Sequence, residues 1–178
     1  MGSRFRRDDG GMTDDEGGDP ACWADEFPEY LGLDEPAPTR WTCPECGRQF
    51  GRTNQGHECA PALPLEEYFS TGPERERPIF EAVHAHLSSL GDVHVEPVSV
   101  GIFFKVRTTF VQLRTMTRWV ALSFSTPQRI DHPRISRKPV DYSGRWYHVV
   151  NVRDADEIDD LVRGWLTEAY ELEVGRRR

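Results

Sequence analysis

Three cysteines and one histidine fall within seventeen residues, and their spacing is the clearest chemical signal in the chain. The segment reads WTCPECGRQF from Trp41 and continues GRTNQGHEC to Cys59. A Cys-x-x-Cys turn lets two thiolates bind one ion, and residues spaced as His57 and Cys59 point to the same side of an extended chain. Thiolate and imidazole ligands of this number favour a closed tetrahedral site. We therefore predict a structural Zn²⁺ ion, for which iron is the alternative, bound by Cys43, Cys46, His57 and Cys59.

The segment around these ligands offers little apolar material for a core of its own. Trp41 and Phe50 are its large apolar residues, and Gly47 suits the turn because glycine takes a positive φ without steric cost. A unit this small buries too little surface to fold alone, so we expect the metal to supply its stability. The fourth cysteine, Cys22, lies outside the cluster and is not expected to bind metal.

The first forty residues differ in composition from the rest of the chain. They hold eleven acids against four arginines, a net charge of −7, whereas the whole chain has a net charge of −8. Because they are also rich in glycine and proline, residues 1–40 are predicted to form a disordered acidic tail. Residues 23–33 are its apolar part and could dock on the folded domain. The sequence contains neither a transmembrane run nor a secretory signal, so we expect a cytoplasmic protein, where cysteines favour metals over disulfides.

From Pro61 onward the pattern is that of an ordered domain. A short helix is predicted near residues 65–69, followed by a longer amphipathic helix that ends at Gly91. Alternating apolar residues then predict five strands, around residues 93–95, 102–106, 111–113, 120–124 and 147–149. A final helix is predicted to be capped by Asp154 and Glu157 and to carry apolar residues from Ile158 to Tyr170.

This order of elements predicts an α+β fold. We expect a two-layer sandwich of an antiparallel sheet of about five strands with N- and C-terminal helices, preceded by a small zinc module. The predicted divisions are a tail at 1–40, the zinc module at 41–60, the α+β domain at 61–174 and a basic tail at 175–178. The loop at 127–144 is long, and long loops are often functional or mobile.

The run CPECGRQF, followed by NQGHEC and by this order of helices and strands, resembles a bacterial family known only as a domain of unknown function. The resemblance extends over roughly residues 40–172 and includes Phe110, the Asp131-His-Pro-Arg134 run and residues 165–170. It implies an architecture similar to that of small frataxin-like proteins, which are linked to iron handling, and to domains attached to DNA-processing enzymes. It carries over the four metal ligands and no catalytic residue.

Basic side chains are concentrated between residues 99 and 150, where nine stand against two acids. Arginine and lysine beside aromatic residues such as Phe103, Trp119 and Trp146 are typical of phosphate contact and base stacking. One interpretation is a nucleic-acid surface on the open sheet face and the long loop. The other is an ordinary solvated face whose charge is neutralised by the acidic tail and by the acids from Asp154 to Asp160. The residues predicted for nucleic-acid contact are Lys105, Arg107, Arg114, Arg118, Arg134, Arg137 and Lys138.

Other functions have weaker support in the sequence. Acidic residues between Asp154 and Asp160 could hold a hard cation, which is the basis for the alternative of a frataxin-like metal-handling protein. The Glu81-x-x-His84 pair lacks the second copy that a di-iron site needs, and His132, His148 and Tyr142 have no identifiable nucleophile beside them. An enzyme is therefore disfavoured. We predict a zinc-containing binding module that engages nucleic acid or a protein partner, without a membrane or an organic cofactor, and leave its oligomeric state open.

Overall fold

The computed structural model describes residues 40–175. The predictions for the acidic tail, including Cys22 and residues 23–33, and for the basic tail therefore lie outside the described residues. Within residues 40–175, no helix is both long enough and apolar enough to cross a membrane.

The described chain begins with a small β-hairpin, continues through two helices and a sheet, and ends in a third helix. The hairpin consists of β1 (Trp41–Thr42) and β2 (Gln49–Phe50), and the next elements are α1 (Leu65–Ser70) and α2 (Glu76–Leu90). The sheet contains β3 (His94–Val98), β4 (Gly101–Lys105), β5 (Thr109–Thr115), β6 (Val120–Thr126), β7 (Val140–Asp141) and β8 (Trp146–Val152). A 3₁₀ turn at Ala155–Glu157 precedes α3 (Asp160–Val174).

The six strands of the sheet pair in the order β3-β4-β5-β6-β8-β7, and every pair is antiparallel. The predicted α+β fold is therefore confirmed, and the sixth strand is the two-residue β7, which forms inside the long loop. At the other edge of the sheet, the Leu63 amide donates a hydrogen bond to the Pro97 carbonyl of β3, with an N–O distance of 2.9 Å.

Helices α2 and α3 cover one face of the sheet. The alternation of side chains along each strand places one set of apolar residues against these helices. The apolar stripe of α2 faces the same space, as its helical period predicts. The largest side chains that are fully buried in this core are Phe104, Phe124, Ile79, Leu87, Ile102, Leu113, Leu122, Ile158 and Leu166.

Helix α3 begins later than predicted. Asp159 is its N-cap, and its carboxylate accepts a hydrogen bond from the Val162 amide at 3.1 Å. Asp154 instead caps the 3₁₀ turn, where it accepts from the Asp156 amide at 3.2 Å. The predicted capping box is wrong because the chain leaves helical geometry at Ile158, whose φ and ψ are −83° and 59° and whose side chain enters the core.

Candidate metal centre and basic loop

A tight turn in the β1–β2 hairpin brings the first two cysteines together. Trp41 pairs with Phe50 across the hairpin, and the Gly47 amide donates to the Cys43 carbonyl at 2.9 Å. Gly47 has a φ of +72°, a conformation that glycine adopts at no steric cost. We call residues 41–59 the Cys/His hairpin, because this turn and the segment after it carry all four predicted ligands.

The four predicted ligand atoms converge on one point. The Cys43 and Cys59 sulfurs are 3.9 Å apart, and the Cys46 sulfur is 3.3 Å from His57 Nε2. All four atoms lie within 4.8 Å of one another. In a tetrahedral site with zinc–sulfur and zinc–nitrogen bonds of ordinary length, ligand atoms are about 3.5 to 3.8 Å apart. The four side chains are therefore close enough to hold one metal ion, and their thiolate and imidazole donors fit it.

The orientation of the His57 ring is set by its neighbours. Its Nδ1 lies 2.7 Å from the Gln55 carbonyl oxygen, which can only accept, so Nδ1 carries the proton. This leaves the Nε2 lone pair directed at the cluster, the arrangement in which histidine binds metals. The ring also packs on Phe50, with centroids 4.2 Å apart, and Phe50 lies 6.0 Å from the Trp41 ring. The two aromatic residues thus form a small apolar cluster beside the ligands.

The thiols differ in how readily they ionise. A hydrogen bond from the Cys46 backbone amide is the largest effect on Cys43 and lowers the pKa of its thiol to about 7. Cys59 is exposed as a residue, but loss of solvent around its sulfur, followed by hydrogen bonding to Cys46 and Cys43, raises its pKa to about 11. The Cys43 thiol therefore ionises more readily than the Cys59 thiol, and binding a metal at Cys59 would release its proton.

A buried charge network attaches the Cys/His hairpin to the sheet. Glu96 of β3 and Lys105 of β4 are 1% and 4% exposed, and their side chains are joined at 2.8 Å. Arg48 of the hairpin bonds to the same Glu96 oxygen at 2.8 Å, and Lys105 Nζ donates to the Gln49 carbonyl at 3.0 Å. The Lys105 ammonium also lies 4.8 Å from the centroid of the Phe50 ring. The hairpin and the sheet are thus held by ionic, hydrogen-bond and cation–π contacts at one place.

Electrostatics at this network favour the charged form of the central carboxylate. Burial acts to raise the pKa of Glu96, but hydrogen bonds and charge from His94, Lys105 and Arg48 outweigh it and lower the pKa to about 2. Burial lowers the pKa of Lys105, and Glu96 opposes that effect. A buried charge whose partner is removed typically costs about 3 to 5 kcal/mol, so each member of the network depends on the others.

Further contacts join the hairpin, and Arg40 just before it, to the turn after β4. Arg40 donates through Nε to the Val106 carbonyl at 2.5 Å and through its other guanidinium nitrogens to Gln49 and Asp92. Gly51 packs so closely on the backbone that a Cβ there would lie 2.7 Å from the Arg107 carbonyl oxygen. The hairpin therefore packs directly on the sheet, a contact that the sequence did not reveal.

One residue of the predicted nucleic-acid surface is internal. Lys105 was expected on an open sheet face, but it is buried between β4 and the Cys/His hairpin. That part of the prediction is wrong, because the hairpin covers this end of the face and Glu96 neutralises the ammonium. The functional residues that sequence reasoning missed here are Arg48 and Glu96, whose pairing joins positions 48 residues apart.

Three further predicted residues do not lie together. Arg107 follows β4 and precedes β5, whereas Arg118 lies in the turn after β5. The seven-residue strand between them spans about 23 Å. Arg114 is exposed within β5, Arg118 is exposed in its turn, and Arg107 is partly buried. The three arginines are therefore spread along the length of β5, and their contact with nucleic acid through the open sheet face stays a prediction.

The remaining predicted residues lie in the loop between β6 and β7, which we call the basic loop (residues 127–139). Arg134 binds the residues at the start of α3, since it donates to the Asp159 carboxylate at 2.7 Å and to the Glu157 carbonyl at 2.5 Å. Arg137 and Lys138 are exposed. Whether they contact nucleic acid stays a prediction.

The basic loop lines a shallow, open polar cavity of about 290 Å³. Its lining includes Arg129, Arg137 and Lys138, all exposed, and His132. Asp131 is the acidic residue in that lining. Arg129 and His132 were not among the predicted contact residues, although the concentration of basic residues in this segment was a usable signal.

Two other predicted constellations do not assemble. The acids before α3 act as caps and as the partner of Arg134, and within residues 40–175 the Cys/His cluster is the group of side chains placed to hold a metal. His132 packs edge-on against Trp165 at 5.3 Å, and His148 is buried and stacks on Phe124 at 5.5 Å. Tyr142 instead contacts Tyr147. The three residues considered for catalysis are thus held by separate neighbours.

A family model described as "Domain of unknown function (DUF5655)" matches residues 65–173. The match runs from α1 into α3 and stops short of the Cys/His hairpin. The predicted resemblance to a domain of unknown function is confirmed over those residues, whereas the zinc motif and the likeness to frataxin lie outside what the match supports. No curated protein and no solved structure matches the chain.

Proposed function

The chain belongs to the DUF5655 family of domains of unknown function, and on that premise we propose that it is a binding protein for nucleic acid whose Cys/His hairpin contains a structural zinc ion. The observation that carries the zinc assignment is the convergence of three sulfurs and one imidazole nitrogen within 4.8 Å. The nucleic-acid assignment is carried by exposed basic side chains that have no internal partner.

Zinc is the metal best matched to these ligands. Three thiolates and one neutral imidazole suit a tetrahedral ion without redox chemistry, and four protein ligands leave no open position for a substrate. When bound, the ion supplies cross-linking free energy rather than reactivity. The hairpin is attached to the sheet by its own residues, since Arg48 bonds to Glu96 and the Gln49 carbonyl accepts from Lys105.

Basic residues of the chain fall into paired and unpaired groups. Arg40, Arg48, Arg134 and Arg145 each bond to a carboxylate. Across residues 40–175, Arg129, Arg137 and Lys138 make no side-chain ion pair, and all three border the same cavity. Cations that the fold does not neutralise are available to phosphate groups, which dominate the affinity of nucleic-acid complexes.

The test uses the purified full-length chain. Elemental analysis should give one zinc per chain for the wild type and for Cys22→Ser, whose cysteine lies outside the cluster, and a loss of zinc for Cys46→Ser. Fluorescence anisotropy with labelled DNA and RNA oligonucleotides should show binding that weakens as salt increases. A metal-free wild type would overturn the zinc assignment, and absence of binding to every oligonucleotide at low salt would overturn the nucleic-acid assignment. Binding to an acidic protein alone would point to the protein-partner alternative.

A further inference from the structure

We propose that the basic loop and the adjoining β7–β8 hairpin form a platform for single-stranded nucleic acid, with phosphates in the loop cavity and bases on two exposed tyrosines. The inference rests on the proposed nucleic-acid function and deepens it by naming the surface and the strandedness of the ligand. The main support is that two features adjoin on one segment of the chain. One is a cavity lined by basic side chains without ion-pair partners, and the other is a pair of exposed aromatic rings.

The phosphate part of the platform is the 290 Å³ cavity. Arg129, Arg137 and Lys138 bring three positive charges to its lining, and Asp131 brings one negative charge. His132 also lines the cavity, and its Nδ1 accepts a hydrogen bond from the Arg134 amide at 3.2 Å. A net positive cavity of this kind attracts the phosphate groups of a nucleic acid.

The cavity is built on backbone that the fold holds in place. At the start of the loop, the Ile130 amide donates to His148 Nε2 at 2.9 Å, and His148 is fully buried. In the middle, Ile135 bridges to Val150 of β8 and the Ser136 amide donates to the Val149 carbonyl at 2.8 Å. A cavity fixed in this way loses little conformational entropy when an anion binds.

The stacking part of the platform is the pair Tyr142 and Tyr147. They are 70% and 39% exposed, and their rings meet edge-to-face with centroids 6.5 Å apart. A two-residue turn with positive φ at both Ser143 (+56°) and Gly144 (+77°) sets Tyr142 at the tip of the β7–β8 hairpin. Such turns match the twist of the strands they join and hold the tip rigidly. Exposed, positioned aromatic rings are the surface on which unpaired bases stack.

The two parts are close enough to serve one strand. Tyr142 follows Lys138 by four residues, a separation of at most about 14 Å in extended chain. Tyr147 lies opposite Val140, which immediately follows the cavity residue Pro139. Bases of a duplex are stacked on one another and hide their faces, so the tyrosines select an unpaired strand. The same platform accepts DNA or RNA, because neither a phosphate group nor the face of a base distinguishes them.

The experiment compares the zinc-loaded, full-length wild type with four variants on labelled oligonucleotides. The ligands are a single-stranded DNA, an RNA of the same sequence and the corresponding DNA duplex. Arg137→Ala/Lys138→Ala removes two cavity charges, and Arg52→Ala/Arg153→Ala is the matched control that removes two exposed charges elsewhere. Tyr142→Ala and Tyr142→Phe test the stacking, since the second variant keeps the ring.

We expect the wild type to bind the single strands at least tenfold more tightly than the duplex. The cavity variant should reduce the dependence of log K on log salt by about 1.4 for two lost single-strand phosphate contacts, and the control should leave it near the wild-type value. Tyr142→Ala should weaken binding by roughly five- to a hundredfold, and Tyr142→Phe should restore it. All five substituted positions are exposed, and an unchanged melting temperature verifies the fold.

Different outcomes overturn different statements. Equal affinity for the duplex, or a loss in the control that matches the loss in the cavity variant, overturns the single-strand platform while nucleic-acid binding stands. A wild-type protein that binds no oligonucleotide overturns the proposed function itself, and the platform with it.

Discussion

The Cys/His hairpin and the basic loop are two irregular segments that the same fold treats in opposite ways. The hairpin directs Arg48 inward to Glu96 and packs on Lys105 of the sheet, so Glu96 neutralises both of these cations within the protein. The basic loop uses backbone amides and the neutral, buried His148 for its attachment and leaves Arg129, Arg137 and Lys138 in solvent. The hairpin is thus attached to the sheet by buried charges, and we call this attachment the joint. The loop is attached through its backbone and leaves its charges on the surface.

This contrast shows that the partner of a basic residue, rather than its position in a basic stretch, determines its role. Lys105 and Lys138 lie in the same positively charged stretch of sequence. A carboxylate and a carbonyl fix the first inside the protein, whereas the second borders an open cavity. Substitutions on the hairpin side should therefore change stability, and those on the loop side should change it little.

The largest expected effect comes from removing a metal ligand. Cys46→Ser should leave three ligands for the ion, disorder residues 41–59 and lower the melting temperature by roughly 10 °C or more, because structural zinc contributes several kcal/mol of folding free energy. Calorimetry and limited proteolysis measure the two effects. Cys22→Ser should behave as wild type, and an equally stable, protease-resistant Cys46→Ser protein would contradict the role given to the ion.

The next effect is expected at the joint between the hairpin and the sheet. Glu96→Gln keeps the shape of the side chain but leaves Lys105 and Arg48 without their carboxylate, so unfolding in urea should require about 3 to 5 kcal/mol less. Glu66→Gln is the control, since Glu66 pairs with Arg77 on the surface and is 83% exposed. The loss there should be much smaller, because solvent screens an exposed ion pair.

The free energy of unfolding that the joint contributes should depend on pH in the acid range. The pKa of Glu96 is lowered from 4.5 to about 2, so the folded protein binds the proton less readily than the unfolded chain. The corresponding stability, about 3 kcal/mol, is present above pH 4.5 and lost as the pH falls towards 2. Acid also removes metal from thiolates, so the informative quantity is the difference between wild-type and Glu96→Gln urea curves. That difference should shrink between pH 5 and 3, and a constant difference would refute the assignment.

The smallest effect should come from the attachment of the basic loop. Asp159→Ala removes both the N-cap of α3 and the partner of Arg134, for an expected cost of about 1 to 2 kcal/mol in chemical denaturation. Asp154→Ala, which uncaps only the 3₁₀ turn, should cost less. If the two losses were equal, or if Asp159→Ala cost as much as Glu96→Gln, the contrast between joint and surface would fail.

The parts of the fold that local patterns describe were predictable. The spacing of Cys43, Cys46, His57 and Cys59 indicated one cluster because ligands so close in sequence have few ways to diverge. Alternation along β3 to β6 and β8 predicted five strands and an α+β fold. The two-residue strand β7 was missed because Val140–Asp141 is too short to show any period.

The parts that depend on distant contacts were not predictable. Lys105 is buried because it bonds to Glu96 and to the Gln49 carbonyl. The sequence around Lys105 contains no pattern that predicts its coverage by the hairpin. The capping role went to Asp159 rather than Asp154 because Ile158 had to reach the core, a tertiary requirement that overrides a local motif. The arginines around β5 share a basic stretch but are separated by the geometry of the strand.

The short strand β7 also bears on how the molecule behaves among its neighbours. Sheet edges with free amides and carbonyls are templates for chain-to-chain pairing and aggregation. One edge here ends in a strand of two residues, and the other carries Pro97, which has no amide hydrogen and whose carbonyl is already engaged by Leu63. Both borders of the sheet are therefore poor templates for growth, which favours solubility of the folded chain at high concentration.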